Sequence, residues 1–259
     1  MARNKTHKVI TAGLLVIEAI YPRAERPDSD RARAAKRKAS SEAQKRLNAR
    51  HSWEKLERLA AANYRPGDLW VTVTYDDDHL PQSRKEAEAR FDYFLQKLRR
   101  ERGRMGQKVV CISNTEHKHD HEDYFQNRRW HHHFFLNATG DDFELIRRCW
   151  IYGDNIEIKR IRLDKENTFE ALARYMCKEA PDKVGLHPWR YTRSTIQQPE
   201  VDTRRVDSDE QIRIPRGALL LQDERGESVY SKWRVVKYLL PGWDGSAVRA
   251  KHRAGKKRR

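Results

Sequence analysis

Arg129-Trp130-His131-His132-His133-Phe134-Phe135-Leu136-Asn137 sets three consecutive histidines at the head of an apolar run. A short apolar, aromatic-rich segment of this kind reads as a strand, and successive strand residues point to opposite faces. His131 and His133 therefore share one face, and His132 points to the other. A lone histidine is ordinarily a hydrogen-bonded core residue, but two imidazoles at i and i+2 can grip one metal ion. A third donor is at hand in Glu116, the last residue of Val109-Val110-Cys111-Ile112-Ser113-Asn114-Thr115-Glu116. Hairpin pairing of the two segments brings its carboxylate beside the histidine pair. Two imidazoles and one carboxylate leave positions open for water or phosphate, as a catalytic metal requires.

Two competing sites are weaker. Histidines also alternate in Glu116-His117-Lys118-His119-Asp120-His121-Glu122-Asp123, but charges surround them and no apolar run follows, so this reads as a solvated hairpin loop. The triplet Asp76-Asp77-Asp78 is explained by a turn after a strand.

Outward from the histidines the pattern is dense from residue 67 to residue 178. Leu69-Trp70-Val71-Thr72-Val73-Thr74-Tyr75 alternates apolar with hydroxyl or aromatic residues and predicts a two-faced strand. Ala87, Phe91, Phe94, Leu95 and Leu98 recur at helical spacing within residues 83–102. Residues 141–150 predict a helix, 156–161 a strand, and 167–179 a helix that Pro181 stops. The order strand, helix, strand, strand, helix, strand, helix predicts an α+β fold: an antiparallel sheet with helices over one face. Residues 7–22 read as one or two strands closed by Pro22, and residues 29–63 as a basic, solvated helical arm. Beyond Val201 two strands are expected, at residues 218–222 and 234–240, before the basic tail Lys256-Lys257-Arg258-Arg259. The division expected is an N-terminal segment (1–63), a central domain (64–200) and a C-terminal extension (201–259).

The 54 Lys and Arg against 38 Asp and Glu give a formal charge of +16, so the long-range field attracts polyanions, with nucleic acid the default partner. No long apolar span argues for a membrane. The apolar run from Val9 to Ile17 is broken by Glu18 with no cleavage site after it, and reads as strand rather than secretory signal. Three cysteines, Cys111, Cys149 and Cys177, without CxxC spacing indicate neither a disulfide framework nor a cysteine zinc site, and imply a reducing, cytoplasmic setting.

The remaining chemistry lies in Arg174-Tyr175-Met176-Cys177-Lys178. On a helix Tyr175 and Lys178 are neighbours at i and i+3. A tyrosine hydroxyl ordinarily titrates near about 10, so it is a weak nucleophile at neutral pH unless its phenolate is stabilised, and an ammonium can help. Taken together and in order, Val71-Thr72-Val73-Thr74-Tyr75, Glu116, His131-His132-His133 and Tyr175-Met176-Cys177-Lys178 resemble the motifs of HUH endonucleases of the rolling-circle replication initiator type, and within them the replication-associated proteins of bacteriophages and mobile elements. The resemblance spans residues 64–193. It departs at His132, where a bulky apolar residue is usual, and no GxxxxGK[ST] helicase motif is present.

The resemblance implies a ferredoxin-like sheet of about five antiparallel strands and a site-specific nuclease acting on single-stranded DNA at a replication origin in a bacterial host cell. It implies that Glu116, His131 and His133 bind Mn2+ or Mg2+, that Tyr175 is the single nucleophile, forming a 5′-phosphotyrosine, and that Lys178 assists it. Host helicase and polymerase would be the further partners, with neither membrane nor small-molecule cofactor. Two alternatives stay open: a non-catalytic DNA-binding regulator with a structural metal, and a hydrolytic metallonuclease in which Tyr175 only packs.

Overall fold

The computed structural model describes residues 5–22, 42–118, 129–178, 188–227 and 232–242. The tail from Lys256 to Arg259, Pro181, the loop histidines His119 and His121, and the start of the basic arm lie outside them. The chain divides into two units, one of residues 63–197 and one of residues 1–62 with 198–259.

The first unit is built on an antiparallel sheet of five strands: β3 (Leu69–Thr74), β4 (Cys111–Lys118), β5 (Arg129–Leu136), β6 (Ile156–Arg160) and the two-residue β7 (Arg190–Tyr191). Their order is β6-β3-β5-β4-β7, which puts the histidine strand β5 at the centre between β3 and β4. Helices α2 (Arg84–Arg104), α3 (Asp142–Cys149) and α4 (Glu170–Met176) complete the unit. The fold is thus α+β, with the seven elements in the expected order.

One face of this sheet is apolar. Val71, Val73, Phe134 and Leu136 are fully buried there with Phe91, Phe94 and Leu98 of α2 and Ile146 of α3. Each such side chain contributes on the order of 2 kcal/mol of burial. Helix α2 starts where Ser83 accepts the Glu86 N–H at 3.2 Å, while the Glu86 carboxylate accepts the Gln82 N–H at 2.8 Å, a reciprocal N-terminal cap.

The expectation that the helices cover a single face is corrected: α2 and α3 lie on this face, but α4 lies on the other. The reason is that β5 is apolar on both sides. Phe135 shares the face of His131 and His133 and must also be covered. Tyr64 packs on it from one side (centroids 5.4 Å) and Phe169, at the head of α4, from the other (6.2 Å). The apolar spacing of Phe169, Ala173 and Met176, all buried, then seats α4 against the histidine face. The same helix is shorter than the 167–179 expected: Cys177 caps it, and Lys178 falls in the closing turn.

Gly153 approaches the end of β3 closely. A Cβ there would lie 2.6 Å from Thr74 O and 2.8 Å from Asp76 N, at φ +154°. Both neighbours are backbone and cannot rotate away, so Gly153→Ala should cost about 2 kcal/mol, read as a lowered urea midpoint at unchanged slope. An unaltered midpoint would mean the turn yields freely.

The second unit holds another five-stranded antiparallel sheet, β8-β1-β2-β10-β9, from β1 (Lys5–Ala12), β2 (Leu15–Pro22), β8 (Glu200–Val206), β9 (Leu219–Glu227) and β10 (Lys232–Leu239). The segments expected as separate N- and C-terminal extensions are therefore strands of one sheet, with Lys5 opposite Val206 and Ile20 opposite Arg234. Val16, Ile20, Val206, Val236 and Tyr238 form its core. Helix α1 (Glu42–Asn63) corrects the reading of a solvated arm: Leu56, Leu59 and Ala60 are buried, and Glu57 makes a buried ion pair at 2.8 Å with Lys237. Only its first half, from Gln44 to Asn48, is fully exposed. Among the described residues no helix is long and apolar enough to cross a membrane.

Candidate active site

Register places the site residues. Thr72 and Asn114 lie opposite His133 from the two sides, and Thr74 and Glu116 lie opposite His131. Paired residues in an antiparallel ladder share a face, so both histidines, both threonines, Asn114 and Glu116 form one polar patch beside the apolar Phe135. Sequence alternation alone divides the triplet in the same way.

Each histidine of the pair is held by a hydroxyl. Thr72 Oγ1 is 2.9 Å from His133 Nδ1, and Thr74 Oγ1 is 2.9 Å from His131 Nδ1. When Nδ1 carries the proton and donates to the threonine, Nε2 is left as a lone-pair donor in a fixed orientation, which is how ligand imidazoles are prepared. The two rings are parallel within 9°, with centroids 6.5 Å apart. Glu116 is 3 % exposed; its Oε2 lies 3.5 Å from His133 Nε2, and its Oε1 accepts from Asn114 Nδ2 at 2.8 Å. A carboxylate so deeply buried needs donors or positive charge around it.

Asn114 does more than hold Glu116. The same Nδ2 donates to Met176 O at 2.7 Å, fastening the carboxylate strand to the C-terminal end of α4. That helix carries Tyr175, whose ring meets His133 edge-on at 5.5 Å and Trp70 edge-on at 5.8 Å. Trp70 in turn lies parallel to His133 at 5.8 Å. Tyr175 is 43 % exposed, so a solvent-borne strand can reach it. Lys178 is exposed and donates its backbone N–H to Tyr175 O at 3.2 Å.

The structure thus brings Glu116, His131, His133 and Tyr175 onto one face, with Lys178 in the turn after Tyr175. Among the described residues, however, no three His, Cys, Asp or Glu side chains are already gathered to hold a metal ion. Parallel rings 6.5 Å apart do not point at a common centre. The donor set suits a divalent cation in kind, two imidazoles preset by threonines and one buried carboxylate, while the rings have still to converge. Thr72, Thr74, Asn114 and Trp70 were not picked out from sequence as site residues. The signal for the threonines was present, since the hydroxyls of the VTVT stretch recur at the same alternation as the histidine pair.

His132 belongs to the core. It is fully buried, its Nε2 2.9 Å from Tyr75 Oη and its Nδ1 3.0 Å from Thr115 Oγ1, and it stacks on Phe91 at 4.5 Å. Burial pushes its pKa well below the usual histidine range, so it stays neutral. His132→Ala should therefore destabilise the unit by about 2–3 kcal/mol through a cavity and two broken hydrogen bonds. Cleavage by the folded fraction at low temperature should survive. A loss of cleavage with unchanged melting would move His132 into the chemistry.

No curated protein and no solved structure matches the chain. Residues 68–180, which run from β3 past α4 and so contain the whole patch, match the family model described as Replication-associated protein, of the ORF2 type, and this part of the chain stands with the replication-associated proteins of phages and mobile elements.

Proposed function

We propose that the chain nicks and rejoins single-stranded DNA at a replication origin through a 5′-phosphotyrosine, and so initiates rolling-circle replication. The observation that carries this reading is the placement of an exposed tyrosine against a histidine pair and a buried carboxylate on one sheet face, within the segment that resembles replication-associated proteins. The net charge of +16 supports DNA as the substrate.

In this reading Tyr175 Oη attacks phosphorus, its proton leaving to solvent. The new O–P bond forms as the P–O3′ bond breaks, and the departing oxygen is protonated to a 3′-hydroxyl able to prime synthesis. One phosphodiester replaces another, so the 3′-hydroxyl can later reverse the step. Trp70 and His133 orient the tyrosine ring, and Lys178 is placed to attract the DNA phosphate. Glu116, His131 and His133 would hold a divalent cation, Mg2+ or Mn2+, which when bound would polarise the scissile phosphate and offset its developing charge.

The test is to mix the chain with labelled single-stranded oligonucleotides and Mg2+ or Mn2+ and look for a denaturant-resistant adduct. An adduct on Tyr175 that disappears with chelator is the expected result. Cleavage without adduct would make the protein a hydrolytic metallonuclease, and binding without cleavage would leave a DNA-binding regulator.

A further inference from the structure

The second unit has a cavity of about 510 Å³ lined from β1, β2, β9 and β10, within the range of small-ligand clefts. One wall is the indole of Trp233, which lies across Gly226 on the neighbouring strand; a Cβ at Gly226 would stand 2.5 Å from Trp233 Cζ2. The glycine is what lets the ring lie flat on the sheet. Four cationic side chains, Lys5, Arg225, Lys232 and Arg234, line the cavity against two acidic ones, Glu210 and Glu227.

These charges are not equivalent. Arg225 and Arg234 both bond Asp223, at 2.9 Å each, and Glu210 is bonded by Arg204 at 3.0 Å. Lys5 is different. It is 8 % exposed, and its one hydrogen-bond acceptor among the described residues is the neutral carbonyl of Ser208, at 2.9 Å. A buried ammonium held by a single neutral carbonyl is costly unless an anion joins it. An aromatic plane beside an unneutralised cation is the pairing that takes a base and its phosphate.

We propose that this cavity binds a nucleotide unit, Trp233 stacking on the base and Lys5 receiving the phosphate, and that its occupant is a nucleotide of a single strand. The proposal extends the DNA-binding reading above but concerns a unit the family match does not cover. The same chemistry would admit a free nucleotide, which the experiment separates.

Binding is measured by fluorescence anisotropy of a labelled oligothymidylate on the full chain carrying Tyr175→Phe, so that no covalent product forms. Trp233→Ala should weaken binding by about 5- to 150-fold, the fold-change equivalent to losing one stacked base, whereas Trp233→Phe should restore most of it. Lys5→Gln should flatten the salt dependence by about 0.7 in logarithmic slope. An oligonucleotide with 5-iodouracil should photo-crosslink to Trp233. Competition by thymidine 5′-monophosphate at concentrations near those of the oligonucleotide would assign the cavity to free nucleotide and overturn the strand assignment; competition by oligonucleotide alone supports it. Unchanged affinity in a Trp233→Ala chain that melts normally, with no crosslink at Trp233, overturns the proposal even if the Tyr175 adduct forms. Loss of affinity at Trp233 with no adduct in the unsubstituted chain would keep the cavity and remove the nicking reading.

Discussion

Replacing Tyr175 by Phe is expected to abolish the covalent protein–DNA product, a loss of about 10³-fold or more in nicking, with fold and DNA affinity nearly intact. The phenylalanine ring keeps the edge-on contacts to His133 and Trp70, at 5.5 and 5.8 Å, and the position is 43 % exposed, so little packing changes. Only the phenolic oxygen is lost. Position argues for this tyrosine: Tyr75 and Tyr64 are buried at 1 % exposure, and burial pushes both hydroxyls well above the usual tyrosine range. Tyr93, although exposed with Lys97 over its ring at 5.8 Å, sits on α2, whose buried side chains pack on the sheet face opposite the histidine pair. Peptide mapping of the adduct decides: a nucleotide on Tyr93 or Tyr191 would overturn the assignment. Lys178→Ala should slow the reaction without stopping it, because the residue lies in the turn beyond α4 and contributes charge rather than the reacting atom.

How far the molecule was legible from sequence follows from the range of the interactions involved. The seven elements of the first unit came from periodicities of 2 and 3.6, which are local. The separation of His132 from His131 and His133 came from the same alternation. What periodicity could not carry was pairing between distant segments. The sheet of the second unit joins Lys5 to Val206 and Leu15 to Leu239, and no local pattern announces such partners. Strand β7 is two residues long, too short for a period. The place of α4 was hidden because Phe135 reads as one more apolar strand residue, although by alternation it belongs to the histidine face and demands a cover. Asn114 was legible only as a strand residue; its link between Glu116 and Met176 O exists because the helix lands there.

The largest stability effect is expected at Arg102, near the C-terminal end of α2. The side chain is fully buried and donates to Asn137 Oδ1 at 2.9 Å, Asn137 O at 3.0 Å and Asp142 Oδ1 at 2.6 Å. It thereby joins the end of α2, the exit of β5 and the first turn of α3. Burial lowers the Arg102 pKa, with Asp142 opposing that effect. For Asp142 burial acts upward, but hydrogen bonds from Thr139 and Gly140 and the charge of Arg102 outweigh it, leaving the carboxyl below the usual range. Arg102→Met strips a buried carboxylate of its cation and should cost about 3–5 kcal/mol, seen as a lower urea midpoint. Arg102→Lys should recover only part, because one ammonium cannot span three acceptors in a plane. The sign of the pH effect follows from the depressed Asp142 value. Its contribution is complete above the unfolded carboxyl value of 3.8 and is lost as pH falls through the lower folded value. Asp142→Asn should accordingly show a smaller acid-side loss of stability below about pH 4 than the unsubstituted chain. In the double variant Arg102→Met with Asp142→Asn, the total cost should fall short of the sum of the two, since neither charge is then left alone. Strict additivity, or a cost for Arg102→Met below about 1 kcal/mol, would show that water reaches the pair and that the three elements are held together by their apolar contacts alone.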